Sequence, residues 1–205
     1  MDIGSIVLAG GKGLRLGRDK TQETIKNRTL LQRVVSRVSF LDGGIIIVTA
    51  SEKQCLSQSI NCPGLRMVAD TCPGKGPLGG IYTGLAASDS IYNLVVACDM
   101  PFLNQALLNY MVQVSAGFEI VVPRLGSLVE PLHAIYSRGC LTPIERLLEQ
   151  GTLSVSNLFA LVKVRYVEAD EINRFDPEHL SFFNINSGTD LKKAKELIRN
   201  GDDKC

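Results

Sequence analysis

The chain has 205 residues, of which 45% are hydrophobic and 21% are charged, and its 22 Lys and Arg residues nearly balance 21 Asp and Glu. This composition can fill the core of one globular domain, but it lacks the basic excess that is typical of general nucleic-acid binders. No apolar run approaches the roughly 20 residues that a membrane-spanning helix needs. We therefore expect a globular protein with neither a nucleic-acid nor a membrane partner.

The first half of the chain alternates short apolar runs with helical patterns. A strand is predicted at residues 5–9, followed by an amphipathic helix that opens at the capping box of Thr29 and Gln32. The next predicted elements are strands at 44–49 and 66–69, a glycine-proline loop, a helix at 78–87 and a strand at 92–98. Strands that alternate with helices in this way predict an α/β fold with a mostly parallel sheet.

The second half is less regular but continues without a linker. Helices are predicted at 105–115 and 141–150, and strands at 119–123, 131–136 and 163–168. Ser187 and Asp190 form a second capping-box pattern, which predicts the start of the last helix. Since no repeat or low-complexity tract divides the chain, we expect residues 1–205 to form a single domain.

The six cysteines and two histidines show no spacing that is typical of a metal site. Asp2 and the early glycines do not fit a secretory leader, so we expect reduced thiols in a cytoplasmic protein. His133 is expected to be a structural histidine with satisfied hydrogen bonds rather than a catalytic group.

The stretch LAGGKGLRLGRDK, residues 8–20, combines four glycines with four basic residues. It follows the first predicted strand, and ligands of open α/β sheets bind beyond the carboxyl ends of the strands. Glycines let backbone N–H groups approach an anion, while Arg and Lys neutralise phosphate oxygens. The stretch therefore predicts a polyphosphate site, with a solvated surface loop as the alternative.

Two other phosphate-binding motifs fit the sequence less well. The P-loop pattern GxxxxGK[ST] is absent from the sequence. Gly11, Gly13 and Gly17 spell GxGxxxG, a relaxed form of the dinucleotide fingerprint, which leaves an NADP-dependent oxidoreductase as a distant alternative. In that fingerprint the glycines open a helix directly, whereas here almost no apolar face follows before Leu30.

LAGGKGLRLGRDK resembles the signature LAGG-x-S-x-R-M-G-x-D-K of the molybdenum cofactor guanylyltransferase family. Gly13 stands in place of the usual Ser, and Leu16 in place of Met. Three further segments resemble family motifs in the same order: GPLGGIYTGL at 76–85, CDMPFL at 98–103 and FFNINSGTDL at 182–191. The resemblance implies the nucleotide-diphospho-sugar transferase fold, a three-layer, Rossmann-like α/β/α arrangement around a mostly parallel mixed sheet. Residues 1–103 would mainly bind the nucleotide, and residues 104–200 the acceptor.

The resemblance also implies the reaction. GMP would pass from GTP to molybdenum-molybdopterin with release of pyrophosphate, and Mg²⁺ would be the cofactor. Proteins of molybdenum insertion or molybdoenzyme maturation would be further partners. Three alternatives within nucleotide binding stay open: a cytidylyltransferase for the same cofactor, an NTP transferase with another phosphorylated acceptor, and a non-catalytic nucleotide-binding regulator.

Individual residues take roles from the same resemblance. Asp99, just past a predicted strand, would hold Mg²⁺ and act in catalysis with Arg15 and Lys20. The nucleotide would contact Leu8, Ala9, Gly10, Gly11, Lys20, Thr49, Asp70, Gly76, Pro77, Leu78, Gly79 and Asp99. The acceptor would contact Glu130, Asn184 and Asn186.

Most of these residues also have a structural interpretation. Asp99 could serve as a turn or N-cap residue, and Pro77 could stand in the first turn of a helix. Thr49 stands where several guanylyltransferases carry Asn, which weakens the inference of guanine through this contact. Strand alternation would point Asn184 and Asn186 to the same face, although Asn186 could instead be a turn residue before the last helix.

Overall fold

Strands and helices alternate through the chain as the sequence predicts. The computed structural model describes residues 2–9, 23–50, 60 and 62–200. Its strands are β1 (Ile3–Leu8), β2 (Thr24–Ile25), β3 (Arg28–Thr29), β4 (Ile45–Thr49), β5 (Leu65–Ala69), β6 (Tyr92–Ala97), β7 (Ile120–Leu125), β8 (Leu128–Val129), β9 (His133–Ser137) and β10 (Val164–Glu168). Its helices are α1 (Leu30–Val38), α2 (Gly76–Ala87), α3 (Gln105–Gln113), α4 (Leu141–Glu149), α5 (Ala169–Ile172) and α6 (Gly188–Asn200).

The described residues form one large sheet with the strand order β10-β7-β9-β6-β1-β4-β5, to which β8 adds by pairing with β7. β1 runs parallel to both β4 and β6, and β4 runs parallel to β5. β9 lies antiparallel between β6 and β7, and β10 is parallel to β7. The predicted mostly parallel mixed sheet is therefore confirmed.

Helices cover both faces of the sheet, and the side chains of β4 show how. Ile45 and Ile47 pack on one face among residues of α1 and α3, whereas Ile46 and Val48 pack on the other face with α2. A strand that is apolar on both faces suits such a covered parallel sheet. Full burial of each of these side chains contributes about 1.5–3 kcal/mol.

A third, smaller apolar cluster joins the end of the chain to its beginning. It contains Ile25, Leu30, Phe102, Ile185, Ala194 and Ile198. Lys26 reinforces this contact by donating from Nζ to the Ile198 carbonyl at 2.6 Å. α6 is thereby held against the β2–β3 hairpin and against the segment that follows β6.

Both predicted capping boxes are confirmed. The Thr29 hydroxyl accepts from the Gln32 N–H at 3.1 Å, and the Gln32 side chain accepts from the Thr29 N–H at 2.8 Å. At α6, the Asp190 N–H donates to the Ser187 hydroxyl at 3.2 Å, and the Asp190 carboxylate accepts from the Ser187 N–H at 2.8 Å. At each helix start, two backbone N–H groups that have no partner within the helix are thus hydrogen-bonded by side chains.

Other predicted boundaries shift by one or two residues, and short elements were missed. β1 begins at Ile3 instead of residue 5, and α2 begins at Gly76 instead of residue 78. The β2–β3 hairpin, β8 and α5 were not predicted.

None of the helices in the described residues is long and apolar enough to cross a bilayer.

Candidate active site

The carboxyl ends of four neighbouring parallel strands meet at one edge of the sheet. The Ala9 N–H donates to the Val48 carbonyl at 2.8 Å, the Cys98 N–H to the Leu8 carbonyl at 3.1 Å, and the Asp70 N–H to the Thr49 carbonyl at 2.7 Å. These bonds continue the sheet just past its strands. Five residues predicted to bind nucleotide thus lie along a single edge: Leu8, Ala9, Thr49, Asp70 and Asp99.

Asp70 and Asp99 occupy opposite ends of this row. Asp70 follows β5 and Asp99 lies in the turn directly after β6, and two strands, β4 and β1, lie between. At about 4.8 Å per strand, the two positions are separated by about 14 Å. The two carboxylates therefore cannot bind the same ion, but an extended nucleotide could reach from one to the other.

The Asp70 carboxylate is already part of a local network. Its Oδ1 accepts from the Cys72 N–H at 2.8 Å and from the Thr83 hydroxyl at 3.1 Å, and neither bond uses Oδ2. The Thr71 N–H also donates to the Thr83 hydroxyl, at 3.1 Å. Asp70 consequently fastens the loop that follows β5 onto α2.

Residues 76–79 form the first turn of α2, which therefore begins two residues before the predicted helix at 78–87. Pro77 stands at its start, where a missing N–H costs no helical hydrogen bond. A Cβ on Gly79 would lie 2.9 Å from the Cys72 carbonyl oxygen, so only glycine lets the helix lie this close to the loop. The Leu78 side chain is fully buried in the core, so nucleotide could reach this residue only through its backbone.

The buried Thr49 is likewise turned away from open solvent. Its side chain is 2% exposed, and its hydroxyl lies within hydrogen-bonding distance of the Val68 carbonyl, at 3.4 Å. The prediction that Thr49 contacts the nucleotide stays a prediction.

Asp99 is linked to the predicted acceptor segment. Its carbonyl accepts from the Ile185 N–H at 3.0 Å, and the Ile185 side chain is fully buried. The neighbours of Ile185 on either side are Asn184, which is half-buried, and Asn186, which is exposed. One backbone hydrogen bond thus places the predicted metal-binding residue next to the asparagine pair.

The asparagine pair does not lie on a strand, contrary to the prediction. Residues 183–186 have no regular secondary structure, although the burial of Ile185 between two more accessible asparagines preserves the alternation that was expected. The Asn184 side chain donates to the Phe182 carbonyl at 3.2 Å. The Asn186 N–H donates to the Asp190 carboxylate at 3.0 Å, which supports the interpretation of Asn186 as a turn residue before the last helix.

Glu130 lies in the turn that leads into β9. Its N–H donates to the Pro123 carbonyl at 3.2 Å, and its own carbonyl accepts from the His133 N–H at 3.0 Å. The side chain is half-buried, and this desolvation raises the pKa of the Glu130 carboxyl. The prediction that Glu130 contacts acceptor stays a prediction.

Sequence reasoning missed an arginine at the same edge. Arg124, near the end of β7, pairs with Glu168 at the end of β10, and its Nε donates to the carboxylate at 3.1 Å. Its guanidinium also lies 4.2 Å from the centre of the Tyr166 ring. The hydrogen bond to Glu168 raises the pKa of Arg124. Only the parallel pairing of β7 with β10 brings these residues together, and no sequence motif signals it.

The His133 side chain is buried, but its ring nitrogens are not hydrogen-bonded. Its side chain has no exposed area, and neither ring nitrogen has a hydrogen-bond partner among the described residues. Burial lowers the pKa of His133 to about 4, against smaller opposing effects of the Asp176 carboxylate and the Ser181 backbone. The Ser181 backbone lies near the ring without meeting the geometry of a hydrogen bond. The prediction of a satisfied histidine was therefore wrong.

The remaining predicted site residues, Gly10, Gly11, Arg15 and Lys20, lie outside the described residues. Ala9, which precedes them, stands at the carboxyl edge between the ends of β4 and β6.

Among the cysteines that the structure describes, Cys62, Cys72, Cys98 and Cys140 are free thiols. No group of three metal-ligating side chains occurs within the described ranges.

An open, mostly parallel α/β sheet with an aspartate just past β6 at its carboxyl edge is typical of nucleotide-binding α/β proteins, whose ligands bind at that edge. The chain belongs to the family described as the MobA-like NTP transferase domain, whose model matches residues 5–164. This membership confirms the predicted nucleotidyltransferase class.

Individual relatives agree with the family. The chain is 32% identical over 201 residues to a molybdenum cofactor guanylyltransferase from Desulfosudis oleivorans, covering 97% of each chain. It is 34% identical over 202 residues to the protein of the same name from Syntrophotalea carbinolica, covering 94% of this chain and 91% of that one. Among solved structures, molybdopterin-guanine dinucleotide biosynthesis protein A from Archaeoglobus fulgidus matches with a TM-score of 0.83 and 29% identity, covering 96% of this chain and 99% of that one.

Proposed function

We propose that this protein transfers GMP from GTP to molybdenum-molybdopterin, forming the guanine dinucleotide form of the cofactor and pyrophosphate. The names of the full-length relatives support the two substrates. The structural observation that carries the proposal is the Ile185–Asp99 hydrogen bond of 3.0 Å. In this proposal it links residues 1–103, which mainly bind the nucleotide, to residues 104–200, which mainly bind the acceptor.

The reaction needs positioning more than it needs a base. An oxygen of the acceptor's terminal phosphate attacks the α-phosphorus of GTP, and the bond from that phosphorus to the bridging oxygen of the β-phosphate breaks. Because the attacking phosphate is already an anion, no strong general base is required. In-line placement and neutralisation of charge lower the barrier instead. The buried His133 fits this scheme, since no proton needs to pass through it.

Asp99 fits a Mg²⁺ site by its chemistry and its place. Mg²⁺ prefers oxygen ligands and is commonly held by one or two carboxylates together with substrate phosphates and water. A single half-buried carboxylate at the carboxyl edge meets that requirement. When bound there, Mg²⁺ would neutralise charge on the triphosphate. In this proposal Arg15 and Lys20 supply the further positive charge, and backbone amides of Gly10 and Gly11 contact the phosphates.

The same proposal assigns the two ends of the edge to the two substrates. The guanosine lies toward β5, where Asp70 and the first turn of α2 meet. The acceptor lies toward Asn184, Asn186 and Glu130. The four described cysteines are free thiols, which suits a reducing compartment, and we therefore place the reaction in the cytoplasm. Proteins of molybdenum insertion and molybdoenzyme maturation would supply and receive the cofactor there.

A nucleotide panel tests the proposal. The protein is incubated with Mg²⁺, molybdenum-molybdopterin and each of the four α-labelled NTPs, and both label transfer and pyrophosphate release are measured. We expect only GTP to give both products, and neither without acceptor. A preference for CTP would replace the base assignment by the cytidylyltransferase alternative, and no transfer with any NTP would overturn the proposal.

A further inference from the structure

The imidazole of His133 lies beneath the segment that carries the asparagine pair. His133 opens β9 opposite Val96 of β6, and its ring centre is 5.0 Å from that of Phe182 in an edge-to-face arrangement. Phe182 stands two residues before Asn184 and packs against the same apolar cluster that contains Ile135. The histidine is therefore wedged between the strand that leads to Asp99 and segment 182–186.

Two buried ring nitrogens without partners are costly in this position. A neutral imidazole carries one donor and one acceptor, and leaving such groups unpaired in a core is unfavourable. If the site needed only an aromatic ring against Phe182, phenylalanine would supply it without that cost. The polar atoms of His133 are thus explained if they acquire a partner in another state of the protein.

The backbone near Phe182 has an unusual conformation at one position. His179 adopts a left-handed conformation, with φ of 55°, which is unfavourable for a residue other than glycine. Its ring lies 6.4 Å from that of Phe182, on which His133 also packs. Behind Phe182, the Asn184 side chain bonds back to its own segment at 3.2 Å instead of reaching outward. A residue at positive φ and a buried group without hydrogen bonds therefore both lie next to Phe182.

We propose that His133 is a positioning residue for the acceptor: when the acceptor binds Asn184 and Asn186, segment 182–186 shifts and a ring nitrogen of His133 gains a hydrogen bond. The inference rests on the proposed function, because it takes the acceptor site to be the asparagine pair. The hydrogen bond is made in the acceptor-bound state alone. It consequently strengthens acceptor binding without affecting GTP.

Nuclear magnetic resonance can observe this directly, since the chain has only two histidines, His133 and His179. In protein labelled with ¹⁵N-histidine, the His133→Phe variant assigns the two sets of ring signals. Saturating molybdenum-molybdopterin should move the His133 nitrogen signals of the wild type, whereas saturating GTP with Mg²⁺ should leave them in place. His133 signals that stay unchanged at saturating acceptor would overturn the proposal.

Steady-state kinetics gives a second, independent test. We expect His133→Phe to raise KM for the acceptor about tenfold with little change in KM for GTP, and His133→Gln, which keeps a donor and an acceptor, to recover most of that loss. Ile135→Val, a buried change on the same face of β9, serves as the control for altered packing and should leave both KM values near wild type. His133→Leu replaces the phenylalanine variant if the latter does not fold.

The outcomes separate this inference from the proposed function. Equal increases in both KM values, or a glutamine variant no better than phenylalanine, would identify a purely structural histidine and overturn the inference. If the wild type transfers no GMP at all, the proposed function fails, yet the binding titration still decides the role of His133, because binding requires no transfer.

Discussion

The two halves of the proposed active site, a nucleotide half and an acceptor half, are built in different ways. In the nucleotide half, four parallel strands end at one edge, and each places its next residue there through the register of the sheet. In the acceptor half, Glu130 lies in a turn and the asparagine pair lies on an irregular segment. The first half is thus positioned by regular secondary structure, whereas the second depends on a few hydrogen bonds between distant parts of the chain.

Asn104 shows how the acceptor half is held. Its Oδ1 caps α3 by accepting from the N–H groups of Ala106 and Leu107, at 2.9 and 3.1 Å. Its Nδ2 donates to the Phe175 carbonyl at 2.8 Å, and its own N–H donates to the Ser181 hydroxyl at 3.0 Å. Asn104 therefore anchors both ends of segment 175–181, which leads to the asparagine pair.

The largest effect is expected where the halves meet. Asp99→Asn should lower kcat by about 10³-fold while the fold stays intact, because it removes the charge that holds Mg²⁺ at the triphosphate. Label transfer from GTP and thermal unfolding would be measured together. Asp89→Asn, which breaks a surface pair with Arg66 (3.1 Å), is the matched control and should retain full activity. Wild-type turnover of Asp99→Asn would remove Asp99 from the mechanism.

A pH dependence of stability is expected from the acceptor half. Because the pKa of His133 is about 4 in the fold and near 6.5 when unfolded, the unfolded chain takes up the proton first as pH falls. The free energy of unfolding should therefore be highest above pH 6.5 and decline by about 3 kcal/mol as pH falls from 6.5 to 4. The charged group that acts on this ring is Asp176, which only partly offsets the burial.

Denaturant titrations of wild type and His133→Phe across this range isolate the effect. Other carboxyl groups titrate in both proteins, so the difference between the two curves reports His133 alone. The variant should gain stability relative to wild type as the pH falls. Parallel pH profiles would show that the His133 pKa is close to its ordinary value.

A somewhat smaller effect tests the anchor of the acceptor half. Asn104→Ala should cost about 2 kcal/mol, since it removes a helix cap and a side-chain hydrogen bond to the Phe175 carbonyl. Because Asn104 anchors the segment that leads to Asn184 and Asn186, the variant should raise KM for the acceptor more than KM for GTP. A variant that loses stability but affects both substrates equally would show that the two halves are not separately held.

The smallest effect tests the nucleotide half. Gly79→Ala places a Cβ against the Cys72 carbonyl and should raise KM for GTP several-fold, at a cost of about 1–2 kcal/mol in stability. KM for the acceptor should stay near wild type. Gly188→Ala, where an added Cβ meets nothing within 4 Å, is the control for a helical glycine change. An unchanged KM for GTP would separate the first turn of α2 from nucleotide binding.

How much the sequence could predict differs between the halves for a physical reason. Apolar runs and the Thr29 capping box are local signals, and they predicted the parallel strands and α1 within one or two residues. The β2–β3 hairpin was missed because its turn uses Lys26 and Asn27 at positive φ, without the glycine that usually signals such a turn. The link from Ile185 to Asp99 joins distant positions, so no local pattern could reveal it.

His133 illustrates the same limit within the site. It was predicted to be a structural histidine, and its side chain is buried. Whether its nitrogens find partners depends on Phe182 and Asp176, which reach it only through the tertiary fold. Sequence predicts which residues enter a core more readily than it predicts which polar atoms are paired there.

A crystal structure with Mg²⁺ and a non-hydrolysable GTP analogue tests the central claim most directly. We expect Mg²⁺ about 2.1 Å from an Asp99 carboxylate oxygen, bound also to the phosphates, with Arg15 and Lys20 on the same triphosphate. A triphosphate bound away from the carboxyl edge, or Lys20 and Asp99 on opposite sides of the molecule, would contradict it.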